Sequence, residues 1–120
     1  MEPTPTWKFG APRWNSPKDV YHATQAFPKH EIYTLSSQLR RAAISVPSNI
    51  AEGKGRASNK ELVQFLCHAR GSLFEVETQV RLAARLSYIK GPEEEPILHK
   101  TARVGQRLNG LLQAFRPNAA

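Results

Sequence analysis

Five basic residues are the best candidates for chemistry in this chain, and that chemistry is phosphate binding. Lys54, Arg56 and Lys60 fall within seven residues around a Gly-Lys-Gly-Arg turn, and Arg81 and Arg85 follow one helical turn apart. All five stand at or near places where the apolar repeat is absent, so their heads are expected to reach solvent and neutralise phosphates with little regard to base sequence. Other chemistry finds no support. The histidines His22, His30, His68 and His99 stand on separate segments. Glu95 precedes His99 by four residues, not by the three that carboxylate-bridged metal sites in bundles use. Cys67 has no local base and reads as a buried, inert thiol. The glycines at 53 and 55 follow no strand and do not have the spacing of a phosphate loop. No nucleophile elbow or paired carboxylates are visible, so no catalytic residue, cofactor or metal is expected.

A second set of polar residues points inward. Gln38, Arg41, Ser45, Asn49 and Glu52 recur at steps of three and four beside an apolar repeat, with Ser72 and Glu75 on the following segment. A solvated face in a chain so rich in Lys and Arg is normally made of long charged side chains. Short Ser and Asn in this stripe imply close packing. If the two segments form a hairpin about residue 55, Gln38 faces Ser72, Arg41 lies near Ala69 and Arg70, and Asn49 faces Glu61. Glu75 then comes within reach of Arg41. A buried Arg–Glu pair adds little stability, because desolvation offsets its attraction, so the network is expected to fix register or subunit orientation. Gly71 is expected to permit close backbone approach.

These residues need helices to position them. Residues 1–16 form an irregular lead with Pro3, Pro5, Gly10 and Pro12, in which Trp7, Phe9 and Trp14 could dock on a groove. Ser16-Pro17-Lys18-Asp19 starts a short helix over 17–26, which Phe27-Pro28 ends. A second helix is predicted over 29–52, with Ile32, Leu35, Leu39, Ala42 and Val46 as its seam. Ala43, Ile44, Pro47 and Ile50 make a second apolar stripe on it, which implies two packing partners and hence self-association. Pro47 is expected to kink this helix, and Gly53 and Gly55 to supply a left-handed cap and a turn. Ser58-Asn59-Lys60-Glu61 is a capping box that opens a third helix over 58–88, with its seam at Leu62, Leu66, Ala69, Leu73, Val76, Val80 and Ala83. The last helix covers 93–115 on Ile97, Thr101, Val104, Leu108, Leu111 and Phe115. The fold class is all-α: an antiparallel up-and-down four-helix bundle over 17–116 with a short first helix.

Composition agrees with one such domain. The 120 residues are 40% hydrophobic and carry 17 Lys and Arg against 10 Asp and Glu, a net charge of +7. An acidic partner, RNA or DNA, is the natural complement. No apolar run spans a bilayer, the first residues lack the core of a secretory signal, and a lone cysteine excludes an internal disulfide. A cytoplasmic location is expected.

The ordered pattern Phe27-Pro28-Lys29, Gln38-Leu39-Arg40-Arg41-Ala42, Ser45 through Gly53, Arg56, Phe65-Leu66, Arg70-Gly71-Ser72 and Glu75 resembles a known family. It is that of the proteins encoded in intervening sequences of 23S ribosomal RNA genes, and the likeness covers residues 21–82. The resemblance implies a four-helix bundle assembled as a ring-shaped homopentamer, with no enzymatic activity. It also implies a distant kinship with the accessory protein of diversity-generating retroelements, a basic pentamer that binds nucleic acid and a reverse transcriptase. The chain departs from the family at its start, where Pro17 intervenes between Trp14 and Tyr21, so the first helix is expected to be truncated. Two function classes follow. One is an oligomer associated with RNA or DNA, since nine Lys and Arg stand against four acids between residues 40 and 90. The other is a protein–protein scaffold without a nucleic-acid role.

Overall fold

A computed structural model describes residues 16–116. They form four helices, α1 (Ser16–Thr24), α2 (Leu35–Lys54), α3 (Asn59–Arg85) and α4 (Gly91–Phe115), with a 3-10 turn at Lys29–Glu31. The expected lead, with Trp7, Phe9 and Trp14, lies outside the described residues. Each helix packs on its two neighbours around a square: α2 on α3, α3 on α4, and α1 on both α2 and α4. This is the all-α, up-and-down four-helix bundle expected from the sequence, and its first helix is short.

The core follows the apolar periods. All seven expected α3 positions, from Leu62 to Ala83, are buried. Ser58 caps this helix by accepting a hydrogen bond from the Glu61 backbone N–H at 3.2 Å. On α2, Leu39, Ala42 and Val46 are buried, and so are Ala43 and Ile50 of the second stripe. One protomer therefore buries three of the five seam residues and two of the four in the second stripe, with α2 packed on both α3 and α1, and two stripes alone do not call for a second chain. The helix runs on through Pro47 without a break. On α4 the seam holds from Ile97 to Leu108 and then passes to Leu112, with Leu111 and Phe115 packed at its margin.

Several boundaries depart from expectation, each for a local reason. The second helix begins at Leu35, not Lys29, because Pro28 opens a 3-10 turn closed by Glu31 N–H to the Pro28 carbonyl at 2.9 Å. The Thr34 hydroxyl turns back to the Glu31 carboxylate and caps nothing. Ile32 thereby leaves the expected seam and is half exposed. The third helix stops at Arg85 because Ser87 adopts a left-handed φ of 63°, with Tyr88 N–H bonding back to the Ala83 carbonyl at 2.8 Å. Tyr88 then donates to Glu31 at 3.0 Å and packs on Phe27, ring centroids 5.4 Å apart. These contacts tie the α3–α4 link to the α1–α2 link. Glu31 is held below the ordinary glutamate range, first by the Thr34 hydroxyl and then by Tyr88, whose own phenol is pushed up.

The two glycines expected to end α2 act differently. Gly53 is buried inside the helix, where a Cβ would lie 3.0 Å from Leu62 Cδ1 and 3.1 Å from Phe65 Cβ. Its missing side chain lets α3 approach; it is no left-handed cap. Gly55, the C-cap, has a right-handed φ of −84°. Gly71, expected at a close approach, has open space where its Cβ would be, because it faces away from α2 and α4. Some large apolar side chains remain exposed: Tyr21, Ile32, Tyr33 and Ile44 about α1 and α2, and Phe74, Leu82 and Leu86 along α3.

Candidate nucleic-acid interface and polar seam

The five candidate phosphate-binding residues divide into two groups. Lys54 is the last residue of α2, Arg56 lies in the following link and Lys60 is the second residue of α3; all three are exposed. Arg81 and Arg85 are exposed near the other end of α3, where they line a shallow pocket with Ala84 and Glu94. At 1.5 Å per residue, Lys60 and Arg81 stand about 30 Å apart along the helix. One protomer therefore presents two basic ends, not one patch.

Local partners hold some of these bases. Arg56 reaches back to the Glu52 carboxylate at 3.0 Å and lies over the Phe65 ring, 4.6 Å from its centroid. Arg81 pairs with Glu77 at 3.6 Å. Both ion pairs span i to i+4 on exposed surface, where such a pair contributes at most about 1 kcal/mol, so a phosphate can compete for either guanidinium. The stacked Arg56 is also restrained in direction.

The polar seam forms in part. Ser45 and Ser72 hydroxyls hydrogen-bond across α2 and α3 at 2.7 Å. Asn49 donates to the Ser45 hydroxyl at 2.9 Å and to the Ser45 carbonyl at 2.8 Å. Ser45, Asn49 and Ser72 are thus the linked members of the set. Ser72 faces Ser45 and not Gln38, because the helices pivot beyond residue 55, within the link that ends at the Ser58 cap. Glu52 is engaged by Arg56 and does not join the network. Gln38, Arg41 and Glu75 are exposed and their side chains form no hydrogen bond or ion pair among the described residues, so the expected buried Arg41–Glu75 pair is absent within the protomer.

A family model described as 23S rRNA-intervening sequence protein matches residues 15–110. The chain belongs to that family. The match takes in α1, α2 and α3 whole, α4 as far as Gly110, and all twelve candidate residues, the five bases and the seven polar positions. No curated protein matches the chain.

Three further arginines stand outside the five candidates. Arg40 donates to the Thr24 hydroxyl at 2.7 Å and lies 4.9 Å from the Tyr21 ring centroid, tying α2 to α1. Arg103 and Arg107, one turn apart on α4, are exposed and without an ion pair among the described residues. The spacing of Arg103 and Arg107 was legible at the sequence level, but they lie beyond the segment of residues 40 to 90 where the basic excess is concentrated. Cys67 is half buried and accepts a hydrogen bond from Arg116 at 3.4 Å, a partner that sequence distance conceals. Among the described residues no cluster of three or more metal-ligating side chains occurs, and no helix is long and apolar enough to cross a membrane.

Proposed function

We propose that this chain is a non-catalytic, homo-oligomeric accessory protein of the cytoplasm that associates with RNA or DNA through its basic surface. The observation that carries this reading is the basic excess of a member of the 23S rRNA-intervening sequence family: net charge +7, with exposed bases at both ends of α3. Lys54, Arg56 and Lys60 form one contact group, and Arg81 with Arg85 the other. The family resemblance supports a ring of five, which repeats each group around its circumference and multiplies the field.

Filter binding of RNA and duplex DNA at two salt concentrations tests the proposal. Affinity should fall steeply with salt, at a slope near −0.9 per phosphate contact on duplex DNA. Lys54→Ala/Arg56→Ala/Lys60→Ala should flatten that slope by roughly 0.9 for each phosphate no longer neutralised, with helix content and mass unchanged. Equal binding by wild type and variant removes that group from the interface. Failure of the wild type to bind at low salt favours the scaffold reading, in which the basic surface serves solubility or an acidic protein partner.

A further inference from the structure

Two separate apolar surfaces lie uncovered on the protomer, and their shapes and charges differ. The first is a groove of about 580 Å³ between α1, the 3-10 link and α2, lined by Tyr21, Ile32, Tyr33, Arg40, Arg41 and Ile44 among others, none of them acidic. Tyr33 is 91% exposed and Ile32 51%, an unusual state for large apolar side chains beside one another. Arg40 is pinned by Thr24 and Tyr21, while Arg41 makes no ion pair among the described residues.

The second surface is a ridge. Phe74, Thr78, Leu82 and Leu86 follow one another at steps of four along α3 and past its end, forming the kind of row that packs into a groove on another helical surface. Phe74 is 58% exposed. Beside it stands Glu75, exposed and without an ion pair among the described residues, whereas Arg81 further along the ridge is compensated by Glu77. The groove carries uncompensated positive charge, and the Phe74 end of the ridge carries uncompensated negative charge.

We infer that the groove receives the α3 ridge of a second copy of this chain, with Arg41 meeting the neighbour's Glu75. The inference rests on the oligomer reading above and adds the faces that meet. One contact covers both apolar surfaces and pairs both lone charges. Nucleic acid in the groove would leave Leu82 and Leu86 in water. Because groove and ridge are different surfaces, the contact is head-to-tail and closes into a ring when its rotation permits.

Reciprocal charge reversal in the full-length chain tests this contact. Arg41→Glu sets two carboxylates against each other at every interface, and Glu75→Arg sets two guanidinium groups together. Each variant alone should lose mass by light scattering at concentrations where wild type is assembled, with association weakened about tenfold or more and helix content by circular dichroism retained. Arg41→Glu/Glu75→Arg in one chain should restore full mass, because every interface then carries the swapped pair. On mixing, the two single variants should associate with each other, although a ring of five keeps one like-charge contact, and tagged Arg41→Glu should capture untagged Glu75→Arg but not untagged Arg41→Glu. A pair within one chain cannot produce that capture. If wild type assembles and both variants assemble equally well, the faces are wrong while the oligomer stands. Dissociation of both variants without rescue on mixing overturns the Arg41–Glu75 contact. A monomeric wild type removes the oligomer reading and this contact with it. If Tyr33→Ala keeps full mass and loses single-stranded RNA binding, the groove belongs to nucleic acid and the inference is overturned.

Discussion

Replacing Gly53 and Gly110 with alanine, one at a time, measures how closely α2 and α3 approach. Both glycines lie within helices, where alanine is favoured by about 1 kcal/mol, somewhat less at Gly53 in the last turn of α2. Their surroundings differ. A Cβ at 110 meets nothing within 4 Å, whereas one at 53 would lie 3.0 Å from Leu62 Cδ1 and 3.1 Å from Phe65 Cβ. The Leu62 methyl can rotate aside. Phe65 Cβ is fixed to the α3 backbone, so the two helices must part by a few tenths of an ångström. Overpacking of this kind costs about 1–3 kcal/mol. Gly110→Ala should therefore stabilise by about 1 kcal/mol, while Gly53→Ala should range from neutral to about 2 kcal/mol destabilising. Urea unfolding followed by circular dichroism, at one protein concentration and with unchanged m, gives both values. Equal stabilisation by the two alanines would refute the close approach.

Ser45→Ala leaves the Ser72 hydroxyl and one Asn49 donor contact without their partner, so it should cost about 1–2 kcal/mol in the same urea assay; Ser48→Ala, an exposed neighbour, should cost nearly nothing. Leu66→Ala opens a cavity at a fully buried α3 position and should lose about 2–5 kcal/mol, lowering Tm steeply in calorimetry. Glu31→Gln should lower Tm at neutral pH by weakening the tie to Thr34 and Tyr88. The native Glu31 value is depressed below 4.5, so its contribution is present above about that pH and is lost as pH falls through the folded-state value. The Tm gap between Glu31→Gln and wild type should therefore close in acid, and a gap that widens there argues against the tie.

The parts of this molecule that were legible in its sequence are those whose cause is local. The α3 seam repeats over seven positions behind a capping box, and each position is buried because a helix that starts at a fixed residue and keeps a regular period has no freedom left in its facing side. The ion pairs Glu52–Arg56 and Glu77–Arg81 also have a local origin, in i to i+4 spacing, although Glu52 was expected in the polar network and neither pair was anticipated. The start of α2 was not legible, since it turns on a choice by Thr34 between capping the helix and bonding Glu31, and Tyr88, 57 residues beyond Glu31, helps to hold that carboxylate in place. Inter-helix register is nonlocal as well. It depends on where the link pivots, and a shift there exchanges every facing pair at once, which is why Ser72 meets Ser45 while Gln38 and Arg41 turn outward. That shift also changes what the polar stripe can do. A stripe read as one buried network becomes a three-residue hydrogen-bonded seam beside a lone arginine and a lone glutamate on the outer surface. Charges left in that position cannot set the register of their own helices, so their effect falls on whatever docks against them.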